Sequence, residues 1–282
     1  MNAWVTLLTQ PNYLAGVRTL RASLAEIGSP HPLVVMVTDG IDADDRRLLE
    51  SEGCLVRAVE PLRPRSDLAD SYANARFAEV WTKLAVWRLV EFDRVVFLDA
   101  DMLVVRAMDE LFDLDLAPGA IAACHACRCN PMRIASYPAD WVPANCFYTY
   151  CRDARQTTEP GVENHLNGGL LVLDPDQSVY DDMVRRLADL GDLSRFPFAE
   201  QDFLDEYYRG TWQPLPYVYN ALKTLPYQHP AMWKAAAVKN IHYIIDKPWQ
   251  HVPDPDGRYF DVETLWWDVA TRAGTAPLIP AG

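Results

Sequence analysis

The sequence predicts an α/β protein with a mostly parallel central sheet flanked by helices, in a single domain over residues 1–282. Short apolar, β-branched runs alternate with longer segments in which apolar residues recur at helical spacing. This alternation is typical of parallel strands joined by crossover helices. Such sheets bind ligands at the carboxyl ends of their strands, so a functional site is expected at that edge.

The predicted elements follow one another regularly in the first half of the chain. Apolar runs predict strands at residues 3–8, 33–37, 55–60, 94–98 and 120–124. Helical spacing predicts a helix from 14 to 27, and an acidic start with a closing glycine predicts another from 42 to 53. A long amphipathic helix is predicted from 77 to 92, directly before the fourth strand.

This regularity breaks at about residues 125–164, a segment rich in Cys, Pro, Trp, Asn and Tyr without periodicity. We interpret it as an inserted loop that lies over the active face and shapes the acceptor pocket. The pattern then returns with a strand at 165–175, helices at 177–190 and 200–208, a late strand at 240–245 and a closing helix at 260–271.

The charge and hydropathy of the chain exclude several classes of function. The net charge is −13 and the sequence forms no basic stripe, so nucleic acid is not expected as a partner. No apolar run reaches about 18 residues, so no membrane span is predicted and a cytoplasmic location is expected. A homodimer is compatible with the sequence. An acidic enzyme that binds a phosphorylated ligand must neutralise it locally, with a metal ion or a few cations.

Two carboxylates end the predicted strand at 94–98. Asp99 and Asp101, on either side of Ala100, point the same way because side chains alternate along an extended chain. They repel each other unless a cation lies between them. Hard oxygen ligands suit Mn²⁺ or Mg²⁺, and a diphosphate can complete the coordination. The alternative is a solvated strand end.

Residues elsewhere in the chain suit the same chemistry. His242, in the late predicted strand, suits Mn²⁺ as a third ligand, and the following Lys247 is a compact cation for a phosphate. The alternative is a core histidine and a surface lysine. Glycines beside Asn167 allow a ligand to approach the backbone, or form a bulge. Residues 200–202 open a helix, where acids are often caps. Lys83 lies in the predicted helix that leads into the Asp99 strand, and Arg76 just precedes that helix. Both are candidate cations for the site, and the alternative is that they belong to a solvent-exposed helix face.

Together these segments resemble glycosyltransferase family 8, which includes glycogenin, galactinol synthases and bacterial lipooligosaccharide galactosyltransferases. The resemblance covers roughly residues 3–250 and rests on the family's order of the segments 3–13, 94–113, 165–175, 197–204, 215–220 and 241–249. It implies a GT-A fold with a Rossmann-like sheet, a UDP-hexose donor, Mn²⁺ with Mg²⁺ as an alternative, and retaining transfer to a small hydroxylated acceptor. Galactinol synthases look nearest, which suggests myo-inositol, but DAD in place of their DGD leaves galactose and glucose open as donor sugars.

The resemblance also implies roles for individual residues. The metal ligands are Asp99, Asp101 and His242. The donor-binding set is Leu7, Thr9, Tyr13, Arg76, Ala100, Asn167, Gly168 and Lys247. The catalytic set is Gln201, Glu200, Asp202 and Lys83. Gln201 is expected to stabilise positive charge on the sugar, while a two-step reaction would use Glu200 or Asp202 as the nucleophile.

Two other functions stay open at this point. The first is glycogenin-like self-glucosylation on a tyrosine, with Tyr148 and Tyr150 among the candidates. The second is a catalytically silent UDP-sugar-binding protein, against which the complete set of metal ligands argues.

Five of the six cysteines fall between 124 and 151. The sequence admits a zinc site there, because the Cys-x-x-Cys pair Cys124 and Cys127 is followed by a later pair, Cys146 and Cys151. Buried free thiols are the favoured interpretation, since Cys-x-Cys is not the usual ligand spacing.

Overall fold

A computed structural model describes residues 1–63 and 80–277. Its strands are β1 (Asn2–Leu8), β2 (Leu33–Val37), β3 (Leu55–Ala58), β4 (Arg94–Leu98), β5 (Met102–Val104), β6 (Ile121–His125), β7 (Leu166–Leu173), β8 (Gln213–Leu215), β9 (Ala221–Leu222) and β10 (Asn240–His242). Its α-helices are α1 (Leu14–Glu26), α2 (Ala43–Ser51), α3 (Phe147–Tyr150), α4 (Gln177–Asp189), α5 (Glu200–Tyr207), α6 (Leu225–Gln228) and α7 (Phe260–Arg272). Short 3₁₀ helices lie at Pro11–Tyr13, Val80–Arg88, Asp109–Asp113, Pro143–Asn145, Tyr217–Tyr219, Ala235–Ala237 and Pro248–Gln250.

Within the described residues, a seven-stranded sheet has the order β3-β2-β1-β4-β7-β6-β8. The neighbours β3, β2, β1 and β4 are parallel to one another, and β6 is parallel to β8. Strand β7 is antiparallel to both β4 and β6. The prediction of a mostly parallel sheet is therefore confirmed. The reversal of β7 brings its first residues to the edge where β4 and β6 end.

Both faces of the large sheet are buried, which explains the continuous apolar runs in its strands. Along β1, Ala3 and Val5 pack on one side with Trp81 and α4, while Trp4 and Leu8 pack on the other side with α1. A third apolar cluster surrounds Trp266 of α7 and the small sheet. The edge of the sheet at which β4 and β6 end is therefore packed against apolar side chains on both faces.

A second sheet, of order β5-β10-β9, was not predicted from the sequence. Strand β10 pairs antiparallel with β5 so that His242 lies opposite Met102. The strand predicted over 240–245 ends at His242. The chain beyond it turns away from an extended course, and Ile245 has a left-handed backbone with φ of 70°. The helix predicted over 77–92 is a 3₁₀ helix at Val80–Arg88 in its described part, and residues 64–79 lie outside the described chain.

After β6 ends at His125, residues 126–164 are irregular apart from a 3₁₀ turn and the four-residue α3. That this segment is an insertion stays a prediction. Across the part of the chain that the structure describes, no helix has both the length and the apolar character needed to cross a bilayer.

Candidate active site

A cavity of about 370 Å³ opens at the carboxyl ends of β1, β4 and β6 and at the start of β7. It is lined by most of the residues that the sequence singles out: Leu7, Thr9, Tyr13, Lys83, Asp99, Ala100, Asp101, Asn167, Gly168, Glu200, Gln201, His242 and Lys247. The fold thus brings into one cavity residues that are up to 240 positions apart in the printed sequence. Their individual roles stay predictions.

Asp99, Asp101 and His242 converge, with one ligand atom from each within 4.8 Å of the others. The Nε2 atom of His242 lies 3.3 Å from Oδ1 of Asp101 and 3.8 Å from Oδ2 of Asp99. The antiparallel register of β10 with β5 produces this approach, since it sets His242 beside the residue that follows Asp101. Asp101 and His242 are buried, which makes close carboxylates costly unless a cation accompanies them. The donor set of two carboxylates and an imidazole therefore fits Mn²⁺ or Mg²⁺.

A chain of hydrogen bonds orients the ring of His242. The backbone N–H of Gly169 donates to Oδ1 of Asn167 at 3.0 Å, which identifies that atom as the amide oxygen. Nδ2 of Asn220 donates to the same oxygen at 2.8 Å, and Oδ1 of Asn220 then faces Nδ1 of His242 at 2.9 Å. Nδ1 must carry the proton, so in the neutral ring the lone pair of Nε2 points at the two aspartates. An outer hydrogen bond of this kind is typical of metal-binding histidines.

The position of Asn220 as an orienting residue was missed at the sequence level. It ends the segment LPYVYN at 215–220, which was recognised only as part of a pattern. Gly169 was also given no role of its own. A Cβ atom there would lie 2.5 Å from Cε1 of His242, so only glycine lets β7 pass this close to the ring.

Lys83 is almost fully buried, which contradicts the alternative of a solvated face. Its ammonium lies 2.7 Å from Oε1 of Glu200 and 3.0 Å from Oδ1 of Asp99, and it donates to the backbone oxygen of Gly168 at 3.0 Å. Burial lowers the pKa of Lys83, but the charges of Asp99 and Glu200 raise it more, so the lysine is charged. Lys83 therefore forms ion pairs both with the candidate metal ligand Asp99 and with Glu200, the first residue of α5.

Lys247 forms an ion pair with Asp101 and also donates to the backbone oxygen of Tyr243 at 3.2 Å. Burial alone would raise the pKa of Asp101, but the charge of Lys247 holds that pKa well below its usual range. The alternative of a surface lysine is wrong, because only 13% of the side chain is exposed. Lys247 therefore lines the cavity directly beside the candidate metal ligand Asp101.

The start of α5 is held against the start of β7. Oε1 of Gln201 accepts hydrogen bonds from the backbone N–H of Gly168 and from Nδ2 of Asn167, both at 3.2 Å. Burial raises the pKa of Glu200, and the charge of Lys83 opposes this without cancelling it. The preceding Ala199 has φ of 50°, an uncommon conformation for a residue with a side chain. Backbone strain of this kind concentrates at functional sites.

The structure does not place two residues of the predicted set in the cavity lining, for different reasons. Arg76 falls outside the described residues. The carboxylate of Asp202 accepts a hydrogen bond from the backbone N–H of Phe198 at 2.8 Å, and burial raises its pKa to about 7. Asp202 thus fixes the turn before α5, and its part in the reaction stays a prediction.

The two ends of the cavity differ in character. At one end Tyr13 packs edge-on against Trp249 with ring centroids 5.3 Å apart, next to Leu7 and Thr9. At the other end the inserted segment supplies an aromatic wall, which sequence reasoning did not identify. Trp141 stacks on Phe198 at 4.2 Å, and Tyr137 meets Phe198 edge-on at 4.8 Å.

The fold and this site define the class. Matches to solved structures support a GT-A fold: the galactosyltransferase LgtC, in complex with donor and acceptor sugar analogs, matches with a TM-score of 0.62 at 18% identity, over 99% of this chain and 98% of that one. The glycosyltransferase GlyE of Streptococcus pneumoniae TIGR4 matches with a TM-score of 0.61 at 16% identity. That match covers 96% of this chain, which spans 61% of the GlyE chain. The protein has a GT-A fold.

The family follows from the sequence matches. The model of glycosyl transferase family 8 matches residues 4–252, so the chain belongs to that family. Galactinol synthase 7 of Arabidopsis thaliana is 31% identical over 95% of this chain and 81% of its own length. Galactinol synthase 2 of Solanum lycopersicum is 32% identical over 95% of this chain and 79% of its own. The resemblance drawn from the motifs is confirmed.

Proposed function

We propose that this protein transfers a hexose from a UDP-sugar to a hydroxyl group of a small acceptor, with Mn²⁺ or Mg²⁺ and with retention of the anomeric configuration. The observation that carries the proposal is the convergence of Asp99, Asp101 and His242 within 4.8 Å at the ligand-binding edge of the sheet. Similarity to galactinol synthases supports galactose as the first donor sugar to test and myo-inositol as the first acceptor.

A bound divalent ion would supply charge to neutralise the departing diphosphate. The chain's own part is to hold the ligands in place and to add a second cation. Lys247 pairs with Asp101 in the present structure, and a diphosphate beside Asp101 would compete for the same ammonium. We assign Lys247 to the diphosphate, where its charge aids both donor binding and departure of UDP. Leu7, Thr9 and Tyr13, which line the same cavity, are assigned to the uridine.

The sugar is assigned to the part of the cavity that is lined by Asn167, Gly168 and Gln201. Gln201 faces the cavity, and we assign it to the side of the ring opposite the leaving phosphate, where its oxygen stabilises developing positive charge. The two hydrogen bonds which that oxygen accepts are long, at 3.2 Å, and one can be exchanged for the substrate. The acceptor hydroxyl then attacks the anomeric carbon from the face that UDP leaves, which retains the configuration, and its proton passes to a β-phosphate oxygen of the departing UDP.

The two-step alternative is less well supported by the contacts of its nucleophiles. The carboxylate of Glu200 is engaged by Lys83 at 2.7 Å, and that of Asp202 by a backbone N–H at 2.8 Å outside the cavity lining. An ion-paired carboxylate is a weaker nucleophile, so the contacts favour direct attack by the acceptor.

Self-glucosylation on the two candidate tyrosines is disfavoured by their surroundings. Tyr148 is 1% exposed and donates its hydroxyl to the backbone oxygen of His125 at 2.7 Å. The hydroxyl of Tyr150 donates to the backbone oxygen of Ala144 at 3.0 Å. Both hydroxyls lie away from the lining of the cavity. Intact mass after incubation with UDP-glucose and Mn²⁺ tests every tyrosine at once, and a gain of hexose mass would support self-glucosylation.

The test is a panel of UDP-sugars assayed for UDP release with Mn²⁺, with and without myo-inositol. Transfer is expected with UDP-galactose or UDP-glucose and stimulation by the acceptor, and NMR of the anomeric proton should show an α-linked product. Absence of UDP release with every donor would support the alternative of a silent sugar-nucleotide-binding protein. A β-linked product would refute the retaining reaction.

A further inference from the structure

Three cysteines and a histidine meet near the aromatic wall of the cavity. They form a cluster separate from Asp99, Asp101 and His242. Cys127 and Cys129 follow β6, Cys146 directly precedes α3, and His229 directly follows α6. One ligand atom from each lies within 4.8 Å of the others, and all except Cys127 are buried. His229 is distant from the cysteines in sequence, which is why the cysteine spacing alone did not indicate a four-ligand site.

The distances between the four atoms match those around a tetrahedral zinc ion. Zinc lies about 2.3 Å from a thiolate and about 2.0–2.1 Å from an imidazole nitrogen. A regular tetrahedron then separates sulfur from nitrogen by roughly 3.6 Å and sulfur from sulfur by roughly 3.8 Å. Nε2 of His229 lies 3.5 Å from Sγ of Cys127, 3.3 Å from Sγ of Cys129 and 3.8 Å from Sγ of Cys146. The Sγ atoms of Cys127 and Cys146 are 3.9 Å apart.

The neighbouring cysteines show how a buried thiol is satisfied without a metal. Cys124 donates to the backbone oxygen of Pro216 at 3.2 Å, and Cys151 to that of Asp153 at 3.2 Å. The thiols of Cys127 and Cys146 instead face each other and the ring of His229. Thiols are weak hydrogen-bonding groups, so such a cluster stabilises itself poorly. All six cysteines are free thiols in the structure, so three thiolates are available.

We propose that Cys127, Cys129, Cys146 and His229 bind one Zn²⁺ as a closed structural site. Three soft thiolate ligands and one imidazole select zinc over Mn²⁺ or Mg²⁺, and four protein ligands leave no open position for substrate. Binding releases the three thiol protons, because the thiolate is the ligand form. The proposal stands independently of the donor or acceptor assigned above.

The location of the site indicates what the zinc ion would stabilise. Cys129 and Cys146 enclose residues 130–145, the part of the insertion that carries Tyr137 and Trp141 of the aromatic wall. His229 anchors this loop to the segment after β9, whose Thr224 also lines the cavity. A zinc ion would therefore fix this loop to the rest of the chain and hold the aromatic wall in place.

Metal content and ligand type test the proposal. An Asp101→Ala background, which removes the other candidate metal site, is purified with a reducing agent and analysed by mass spectrometry for zinc. About one zinc per chain is expected. Cys129→Ser and His229→Gln should each weaken zinc retention more than roughly 10-fold, which exceeds the effect of losing an outer hydrogen bond. Cys151→Ser, a buried cysteine of the same insertion outside the cluster, should retain it.

Cobalt substitution of the unmutated ligand set decides the matter even if a variant does not fold. Co²⁺ should give thiolate-to-cobalt charge-transfer bands, which oxygen and nitrogen ligands at the aspartate and histidine site cannot produce. The strong visible bands of a tetrahedral ion should accompany them. Removal of zinc by a chelator should speed proteolysis within 130–145. The proposal is overturned if the chain takes up neither zinc nor cobalt with sulfur ligation, or if Cys129→Ser and His229→Gln retain zinc as well as Cys151→Ser does.

Discussion

Asn220 should control metal affinity without touching the metal. In Asn220→Ala, Nδ1 of His242 loses the acceptor that lies 2.9 Å away, and Oδ1 of Asn167 loses one of its two donors. The ring is then free to rotate or to adopt the other tautomer, which turns Nε2 away from the aspartates. Loss of such an outer contact typically weakens metal binding 10–100-fold, or by about 1.4–2.7 kcal/mol.

The same substitution leaves a buried donor unsatisfied, which should lower the free energy of unfolding by about 1–3 kcal/mol. Stability loss must therefore be separated from metal affinity. Asn240→Ala is the matched control: Asn240 is also fully buried, lies two residues before His242 on β10, and donates to the backbone oxygen of Tyr219 at 2.9 Å. It should lose similar stability and keep its metal affinity.

The assay is UDP release as a function of Mn²⁺ concentration at saturating donor, together with calorimetry of Mn²⁺ binding. We expect the half-saturating Mn²⁺ concentration to rise 10–100-fold in Asn220→Ala and to change less than about 3-fold in Asn240→Ala. Equal Mn²⁺ affinity in Asn220→Ala and the unmutated chain would refute the role of the hydrogen-bond chain. A rise of the same size in both variants would attribute the effect to general destabilisation.

Four further substitutions test the remaining assignments. Asp101→Ala should abolish UDP release at saturating Mn²⁺ while far-UV circular dichroism stays unchanged, since the residue lies at an edge of the sheet. Gln201→Ala should lower kcat and leave UDP affinity nearly unchanged by calorimetry, whereas Lys247→Ala should weaken UDP binding by about 1.5–3 kcal/mol, because the diphosphate is present in donor and product alike. Lys83→Met should lower the free energy of unfolding by about 3–5 kcal/mol at pH 8, since it leaves Glu200 buried without its partner. That loss should shrink in acid, as followed by thermal denaturation at several pH values.

The pH dependence of Lys83→Met follows from the sign of the pKa shift. Burial already raises the pKa of Glu200 above the ordinary 4.5, and removal of the Lys83 charge raises it further. Between the unfolded and folded pKa values the folded state holds more protons, so stability falls as the pH rises through this window. A destabilisation that grows toward acid would contradict this.

The other three variants have their own contradicting outcomes. UDP affinity that is lost in Gln201→Ala and kept in Lys247→Ala would reverse those two assignments. Activity of Asp101→Ala within a few fold of the unmutated chain would remove Asp101 from the metal site.

The sequence alone was sufficient for six of the seven strands of the large sheet and for the half of the site that local patterns carry. It did not indicate β5, β8 or β9. Asp99 and Asp101 could be placed at a ligand-binding edge because apolar periodicity identifies β4 and the chain continues directly into DAD. The resemblance then supplied His242 and Lys247. These inferences succeed because strand formation and side-chain alternation depend on residues that are neighbours in the chain.

Only the tertiary structure decided which distant residues meet. The antiparallel direction of β7 and the register of β10 on β5 bring Asn220 and Gly169 to the ring of His242, and neither leaves a local periodicity in the sequence. The burial of Lys83 between two carboxylates and the approach of His229 to three cysteines also arise from packing between separate segments. Contacts of this kind depend on how sheets and loops close over long separations, so their geometry becomes visible only when the whole chain is folded.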